Sequence, residues 1–409
     1  MLFFGLMASV MLVFSNVAYA QMGERYLQPV FDEVTTTSAI PFSSAVREGA
    51  TTPTTLYLDF YEPAGDTLSA RPLVITVFGG AFVAGSRDFV DMVAYCTRLA
   101  QHGYAAASID YRLLSFFQIS SSALIRDAYM AAQDVSSAIR YFKAHSEEYR
   151  VDTDRIYLLG NSAGSIAILA EIFMDEDERP AETFTDPDLG PIHSSGFTEY
   201  AGLSPQVAGA VAQWGGVMDL DIIDTEEYVP LCMIHGTDDT TVPYDSGYCF
   251  ASLGLSFMPY MYGSSAVAAR LESLGIEDFE FHPFEGEEHA FYMPSLSYQL
   301  DEEKFGACFD IVRDFLWLHL GFPTHVPEAL SRDVIVYPNP ATATLVLEDG
   351  SFGLPYRLTV YDVFGREQWA EEVHDWRHSV DVSRWPSGVY VIRLETNGRC
   401  VVKKFVKRQ

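Results

Sequence analysis

Between Thr55 and Leu320, short apolar runs rich in β-branched residues alternate with stretches whose apolar positions recur at helical spacing. That alternation leaves a chain few options. Strands separated by whole helices pair in parallel through crossovers, and a parallel sheet must be covered on both faces. The strand candidates are TLYLDFY, PLVITVF, YAAASID, RIYLLG, VAGAVAQW, PLCMIHG and FEFHPF. The helix candidates are FVDMVAYCTRLAQHG, ALIRDAYMAAQDVSSAIRYFKAHSEEY, SIAILAEIFM and KFGACFDIVRDFLWLHLG, with glycine stopping the first and last. The expected fold class is therefore α/β, a doubly wound and mainly parallel sheet. Two segments break the alternation: an acidic stretch from Asp175 to about Ser204, and a Gly, Ser, Met and Tyr-rich stretch from Leu253 to Ser265. Insertions of this length serve as lids, binding loops or plain surface decoration.

After Leu320 the pattern changes. GFPTHVPEALSRD reads as a linker, placed at residues 323–332, and beyond it short alternating strands are separated by turn residues. This spacing predicts a small all-β sandwich over residues 333–409. At the other end, MLFFGLMASVMLVFSNVAYA is an apolar run closing on Ala18-Tyr19-Ala20, which reads as a signal peptide over residues 1–20 and leaves 21–322 for the α/β domain. The run lacks the usual preceding Lys or Arg, and no later stretch is apolar enough to span a bilayer, so no transmembrane segment is expected in the mature protein. With a formal net charge of −30, the surface repels nucleic acid and anionic lipid, which excludes both as expected partners. Cys96, Cys232, Cys249, Cys308 and Cys400 show neither C-x-x-C nor zinc spacing. An oxidising compartment permits a disulfide, with Cys232 and Cys249 the pair nearest in sequence.

Two glycine-bearing stretches carry the chemistry. RIYLLGNSAGSIAILAEIF sets a buried strand, then Gly160-Asn161-Ser162-Ala163-Gly164, then an apolar helix. A sharp strand-to-helix elbow needs glycine on either side of a strained serine whose Oγ projects clear of the sheet, so Ser162 is the candidate nucleophile. A serine hydroxyl is a poor nucleophile at neutral pH and requires a base and an orienting carboxylate. VPLCMIHGTDDTTVPYD offers Asp238 and Asp239 at a strand end, either within reach of an imidazole, and places His235 in the strand end as a structural residue. FEFHPFEGEEHAFYMPS offers His282 inside a strand and His289 after a glycine turn, of which His289 is the expected base. His102, His319, His374 and His378 lie on helices or in the C-terminal domain and take ordinary roles. The other stretch, VITVFGGAFVAGS, bares backbone amides at Gly79 and Gly80 after a strand. It lacks both G-x-G-x-x-G and G-x-x-x-x-G-K-[ST], so a phosphate cradle does not fit, whereas a transient oxyanion does.

These residues resemble the α/β-hydrolase serine esterases, in particular the hormone-sensitive-lipase-like and related carboxylesterase families, over about Leu56 to Leu320. Phe78-Gly79-Gly80-Ala81 stands where the family reads H-G-G-G, and Asp110-Tyr111-Arg112 where it often has D-Y-R. His235-Gly236-x-x-Asp239-x-x-Val242-Pro243 matches H-G-x-x-D-x-x-V-P, and the segment around His289 resembles G-x-x-H-x-F. The resemblance implies Ser162, Asp239 and His289 as the triad, with Asp238 the lesser candidate, and the amides of Gly80, Ala81 and Ala163 as the oxyanion hole. Phe78 departs from the pattern, since the family's histidine braces the loop. The implied activity is hydrolysis of small or polysaccharide-borne esters such as acetyl or feruloyl groups, without metal or cofactor. The alternatives are a prolyl- or dipeptidyl-type serine peptidase of the same fold, although no β-propeller precedes the domain, and a binding protein on a dead hydrolase scaffold. The tail resembles the C-terminal sorting domain of the type IX secretion system through Tyr337-Pro338-Asn339-Pro340, Tyr361-Asp362-Val363-Phe364-Gly365, Trp385-Pro386-Ser387-Gly388 and the basic end KKFVKR. It implies the secretion machinery as partner and a secreted or cell-surface location. A carbohydrate-binding or adhesion sandwich is the rival reading for this tail, with Trp369, Trp376 and Trp385 as its scarce aromatic candidates.

Overall fold

The computed structural model describes residues 25–320 and 334–408, apart from residues 195, 226–227, 255–257, 294–298, 340, 350–353, 363–366 and 397–398. The expected signal peptide and linker lie outside the described residues. The chain divides into two compact units, Gln28–Leu320 and Gly321–Gln409 with residues 1–27.

In the larger unit the strands are β1 (Val34–Ala45), β2 (Thr54–Pro63), β3 (Arg71–Val77), β4 (Ala105–Ile109), β5 (Val151–Asn161), β6 (Gly209–Gln213), β7 (Gly216–Val217), β8 (Leu231–Gly236), β9 (Ser246–Tyr248), β10 (Tyr260–Gly263) and β11 (Phe279–Phe284). Eight of them form one sheet in the order β1-β2-β4-β3-β5-β6-β8-β11. β1 and β2 join antiparallel, and every pair from β4 through β3 to β11 is parallel. β3 and β4 are buried at every residue, as strands covered on both faces must be. Helices α1 (Val90–Gln101), α2 (Ser121–Ala144), α3 (Ala163–Phe173), α4 (Ser264–Ser273) and α5 (Glu302–His319) supply the cover. α1 and α5 share one face, where Tyr95 meets Phe305 with ring centroids 4.6 Å apart, while α2 and α3 pack together on the other.

The strand order fixes where a ligand can sit. From β3 the chain passes through α1 to β4 on one side, then returns through α2 to β5 on the other, so the direction of winding reverses between β3 and β5. Loops leaving the carboxyl ends of two such strands diverge and open a crevice. β1, not anticipated from the sequence, is rich in Thr and Ser, contains Pro41 and is exposed along much of its length, as suits an edge strand. β7, β9 and β10 make a separate small sheet that incorporates part of the Leu253–Ser265 segment.

The smaller unit holds β12 (Val334–Tyr337), β13 (Thr344–Asp349), β14 (Tyr356–Asp362), β15 (Glu367–Val373), β16 (Arg377–Asp381), β17 (Gly388–Thr396) and β18 (Arg399–Lys407) in two antiparallel sheets, β12-β13-β16 and β15-β14-β17-β18. One buried cluster, with Leu345, Leu347 and Val380 from the first sheet and Leu358, Ile392 and Phe405 from the second, joins them face to face. Among the described residues no helix is long and apolar enough to cross a membrane.

One buried acid on α2 is unpaired. Asp127 is fully buried, neither carboxylate oxygen has a hydrogen-bond partner, and burial with Glu48 nearby pushes its carboxyl up to about 8 despite Arg112 and Arg126. A carboxyl raised in the folded state stabilises fully only below its unfolded value and loses that contribution as pH rises through its folded value. The neutral isostere Asp127→Asn should therefore raise the thermal midpoint more at pH 8 than at pH 5, as calorimetry at the two pH values will show.

Candidate active site

β5 runs into α3 through a turn that few sequences can make. Ser162 caps the helix at φ 50° and ψ −121°, a conformation that costs a residue with a side chain on the order of 1–3 kcal/mol. The neighbouring glycines are needed for close approach. A Cβ on Gly164 would lie 2.0 Å from the Val77 carbonyl oxygen, so α3 can press against the end of β3 only without one. The Ser162 N–H donates to the Gln213 carbonyl at 2.9 Å, fastening the elbow to the end of β6. Beneath it lies a buried polar cluster. Asn161 Nδ2 donates to Asp91, the Tyr292 hydroxyl sits 3.2 Å from Asp91 Oδ2 and 3.0 Å from Gln213 Oε1, and Gln213 Nε2 donates to the Tyr95 hydroxyl at 2.6 Å. Burial pushes Asp91 up to about 6. The cluster ties α1, the elbow, β6 and the segment following His289 into one unit.

The loops after β8 and β11 bring Asp239 and His289 to this serine. His289 Nε2 lies 2.9 Å from Ser162 Oγ, and His289 Nδ1 lies 2.7 Å from Asp239 Oδ2. With the carboxylate accepting from Nδ1–H, Nε2 is left with the lone pair that faces the hydroxyl. Asp239 Oδ1 accepts the backbone N–H groups of Thr241 at 2.8 Å and Val242 at 2.9 Å. Burial alone would push the Asp239 carboxyl up, but hydrogen bonds from His235 and His289 outweigh it and hold the group at about 2. Asp238 is exposed and outside this chain, and His282 pairs with Glu280 at 3.0 Å on β11. His235, read from sequence as structural, is fully buried with Nε2 3.2 Å from Asp239 Oδ2. The signal for that contact lay in the H-G-x-x-D spacing itself, which sets the histidine four residues before the aspartate.

The glycine loop after β3 lies against the serine. A Cβ on Gly79 would fall 2.9 Å from Ser162 Cβ, and the chain turns through positive φ at Gly80, Ala81 and Phe82 before the Gly80 carbonyl accepts the Val83 and Ala84 N–H groups. This brings the backbone of Gly79 beside Ser162, with Gly80 and Ala81 next along the loop, while Ala163 opens the first turn of α3, whose amides have no partner within the helix. Phe78 does not leave the loop unbraced. Its buried ring stacks on Tyr111 with centroids 4.3 Å apart, and the Tyr111 hydroxyl donates to the Phe78 carbonyl at 3.1 Å. The flanking residues hold Tyr111 in turn, with Arg87 pairing Asp110 at 2.7 Å and Arg112 pairing Asp134 at 2.9 Å.

Residues 58–227 match the BD-FAE family, and residues 335–408 match the family described as secretion system C-terminal sorting domain. The BD-FAE match includes the Gly79–Ala81 loop and Ser162 but ends before Asp239 and His289, which reach the site through the loops after β8 and β11. Among curated relatives, a probable isoprenylcysteine alpha-carbonyl methylesterase of Arabidopsis thaliana is 26% identical over 219 residues, 47% of this chain and 44% of that protein. Esterase LipC of Mycobacterium tuberculosis is 32% identical over 126 residues, 31% of this chain and 29% of that protein. The chain thus spans less than half the length of these relatives. A solved structure of Thermogutta terrifontis esterase 2 with propionate bound is 23% identical with a TM-score of 0.46, covering 69% of this chain and 96% of that one.

Within the larger unit, a cavity of about 190 Å³ runs alongside α3. Ile166 and Ala170 of α3, Ala128 and Tyr129 of α2 and Met218 give it apolar walls, and Glu178 and Pro180 of the acidic insertion close one side. Ile166 stands one helical turn beyond Ser162 and donates its N–H to the Ser162 carbonyl at 3.0 Å. The insertion is held by α2 through its backbone: Arg126 donates to the Pro187 carbonyl at 2.9 Å, Gln133 to those of Leu189 and Pro191 at 2.8 and 2.9 Å, and Arg140 to that of Leu203 at 2.7 Å.

The disulfide that the cysteine spacing permitted does not form. Cys232 and Cys249 are both free and buried, as are Cys96 and Cys308. Among the described residues, Cys232, Glu280 and His282 could bring ligand atoms within 4.8 Å of one another. The His282–Glu280 hydrogen bond already occupies that pair, and burial raises the Cys232 thiol well above its ordinary value, which disfavours the thiolate a metal requires.

Removing the Tyr111 hydroxyl leaves the stack and deletes the bond to the loop. Tyr111→Phe should lower the rate of any reaction that uses the Gly80 and Ala81 amides about five- to tenfold, the worth of one neutral hydrogen bond, with little change in thermal midpoint; initial-rate kinetics beside a melting curve checks both.

Proposed function

We propose that this protein is an exported serine hydrolase of carboxylic esters. The observation that carries the reading is the unbroken line of hydrogen bonds from Ser162 Oγ through the His289 ring to Asp239. Ser162 Oγ attacks the ester carbonyl as its proton passes to His289 Nε2, forming a tetrahedral oxyanion. The amides of Gly80, Ala81 and Ala163 receive that charge, and each such donor is worth roughly 3–4 kcal/mol in the transition state. His289 returns the proton to the departing alkoxide, leaving an acyl-serine. Water then attacks with His289 as base, and the acid and Ser162 are released. Asp239 keeps the imidazole in the tautomer that faces Ser162 and stabilises its cation. The relatives above are also esterases by name, which supports an ester substrate in preference to a peptide.

The apolar cavity favours uncharged esters whose acyl or alcohol group is apolar, since Glu178 and Asp219 lie on its wall and disfavour an anion there. A dry cavity of about 150 Å³ is enough for a benzene-sized group, so one of about 190 Å³ suits a short branched or aromatic substituent, free or borne on a polysaccharide. The proposed layout is a signal peptide over 1–20, the hydrolase over 21–322, a linker over 323–332 and a sorting domain over 333–409. The last directs the enzyme through type IX secretion to the cell surface or beyond.

Hydrolysis of p-nitrophenyl acetate should fall at least ~10⁴-fold in Ser162→Ala and about as far in Asp239→Asn, the range measured for such triads, while Asp238→Asn stays within about twofold as an exposed bystander; activity surviving in Ser162→Ala would remove the serine from the role. Narrowing the cavity with Ala128→Phe should lower the ratio of kcat/KM for p-nitrophenyl hexanoate over acetate about tenfold, since a misfit of a few methylenes costs 1–3 kcal/mol. A ratio equal to wild type in that variant would place the acyl group elsewhere.

A further inference from the structure

His235 occupies an unusual position for a residue at the end of a core strand. Its ring is fully buried, with Nδ1 2.8 Å from Ser264 Oγ and Nε2 3.2 Å from both the Val242 carbonyl oxygen and Asp239 Oδ2. A ring nitrogen facing two oxygens that can only accept must carry the proton. In the neutral ring Nδ1 is then the acceptor, and the Ser264 hydroxyl donates to it. Ser264 is itself fixed, being buried at the start of α4, where the Gly263 N–H donates to the Asp245 carbonyl and the Ser265 N–H to that of Tyr244. Asp239 Oδ2 therefore lies between two imidazoles, His289 at 2.7 Å on the solvent side and His235 at 3.2 Å on the buried side. Among the described residues, Cys249, buried, and Tyr244, whose ring is 5.8 Å from that of His235, also lie near this pair.

We infer that His235 is a positioning residue for the triad: its Nε2–H, held in that tautomer by Ser264, locks the Asp239 carboxylate in the rotamer that presents Oδ2 to His289. The inference rests on the reading of Ser162, His289 and Asp239 as the reacting groups. Two backbone N–H groups already hold Oδ1, but a carboxylate pinned through one oxygen can still swing the other about that anchor. Donation from the buried side closes that freedom. A neighbour that merely filled space would not need a hydroxyl on its far nitrogen.

Glutamine and asparagine separate the two nitrogens, since the Gln amide nitrogen reaches the place of Nε2 and the Asn amide that of Nδ1. His235→Gln should keep kcat within about threefold, whereas His235→Asn should lose about 10- to 100-fold in kcat with KM within twofold, the cost of one hydrogen bond to a charged group. Equal kcat in the two variants, or losses that follow the fraction unfolded by circular dichroism, would overturn the inference. Should neither variant fold, Ser264→Ala should lower kcat about fivefold, one neutral hydrogen bond, and Ser264→Thr should restore it; wild-type kcat in Ser264→Ala would equally overturn it. Ring ¹⁵N spectra of the Ser162→Ala protein provide a reading independent of turnover, with His235 in the Nε2–H form and that pattern lost in the double variant with Ser264→Ala. If wild type hydrolyses no ester yet the tautomer pattern holds, the esterase reading fails while the arrangement around Asp239 stands.

Discussion

A serine held at positive φ must be held from several directions, because its own backbone favours relaxing. In this protein the restraint comes from three neighbours that meet only if the winding of the sheet reverses between β3 and β5. The end of β3 meets α3 across Gly164 with no room for a Cβ, β6 accepts the Ser162 N–H, and the Asp91 cluster fastens Asn161 from below. Together they set the angle at which Ser162 Oγ leaves the sheet, and the loops bearing His289 and Asp239 are useful only in relation to that angle.

Much of this was legible in the residues because local chemistry and tertiary demand coincide. The G-x-S-x-G segment between a β-branched run and an apolar helix has a single economical shape, and both the parallel sheet and the β-rich tail follow from periodicity alone. Asp239 was separable from Asp238 only through the H-G-x-x-D-x-x-V-P resemblance, since adjacent aspartates on a loop look alike until one of them is buried against two histidines. β1 escaped notice because an exposed edge strand of Thr and Ser has no apolar alternation to read. The other members of the Asp91 cluster, drawn from positions 95, 161, 213 and 292, are brought together only by the topology. The same holds for the stack of Phe78 on Tyr111, 33 residues apart, whose Tyr111 hydroxyl donates to the Phe78 carbonyl. The disulfide was suggested by proximity in sequence, which says little about two cysteines that the fold buries separately.

The charge distribution bears on how the domain is built. The chain has 26 basic residues against 56 acidic ones, yet Arg71, Arg112, Arg126, Arg140 and Arg179 are all buried. Each is directed at carboxylates or backbone carbonyls inside the fold, where a planar guanidinium can satisfy several acceptors at once. The acids are left to dominate the surface. Lysine could not replace these arginines, having neither the fork nor the reach to bridge a carboxylate and a carbonyl together.

The hold that α2 has on the acidic insertion works through Arg126, Gln133 and Arg140, and it grips carbonyl oxygens. Every amino acid offers the same carbonyl. Much of that attachment is therefore indifferent to the segment's own side chains, apart from the Thr185 hydroxyl that Arg126 also reaches and Ile192, which packs on Tyr129 and Ala132, and the side chains at positions 178 and 180 form part of a cavity wall. Descendants of this protein could revise what the cavity admits by ordinary point mutation, while the helix that carries Ser162 and the strand beneath it stay untouched.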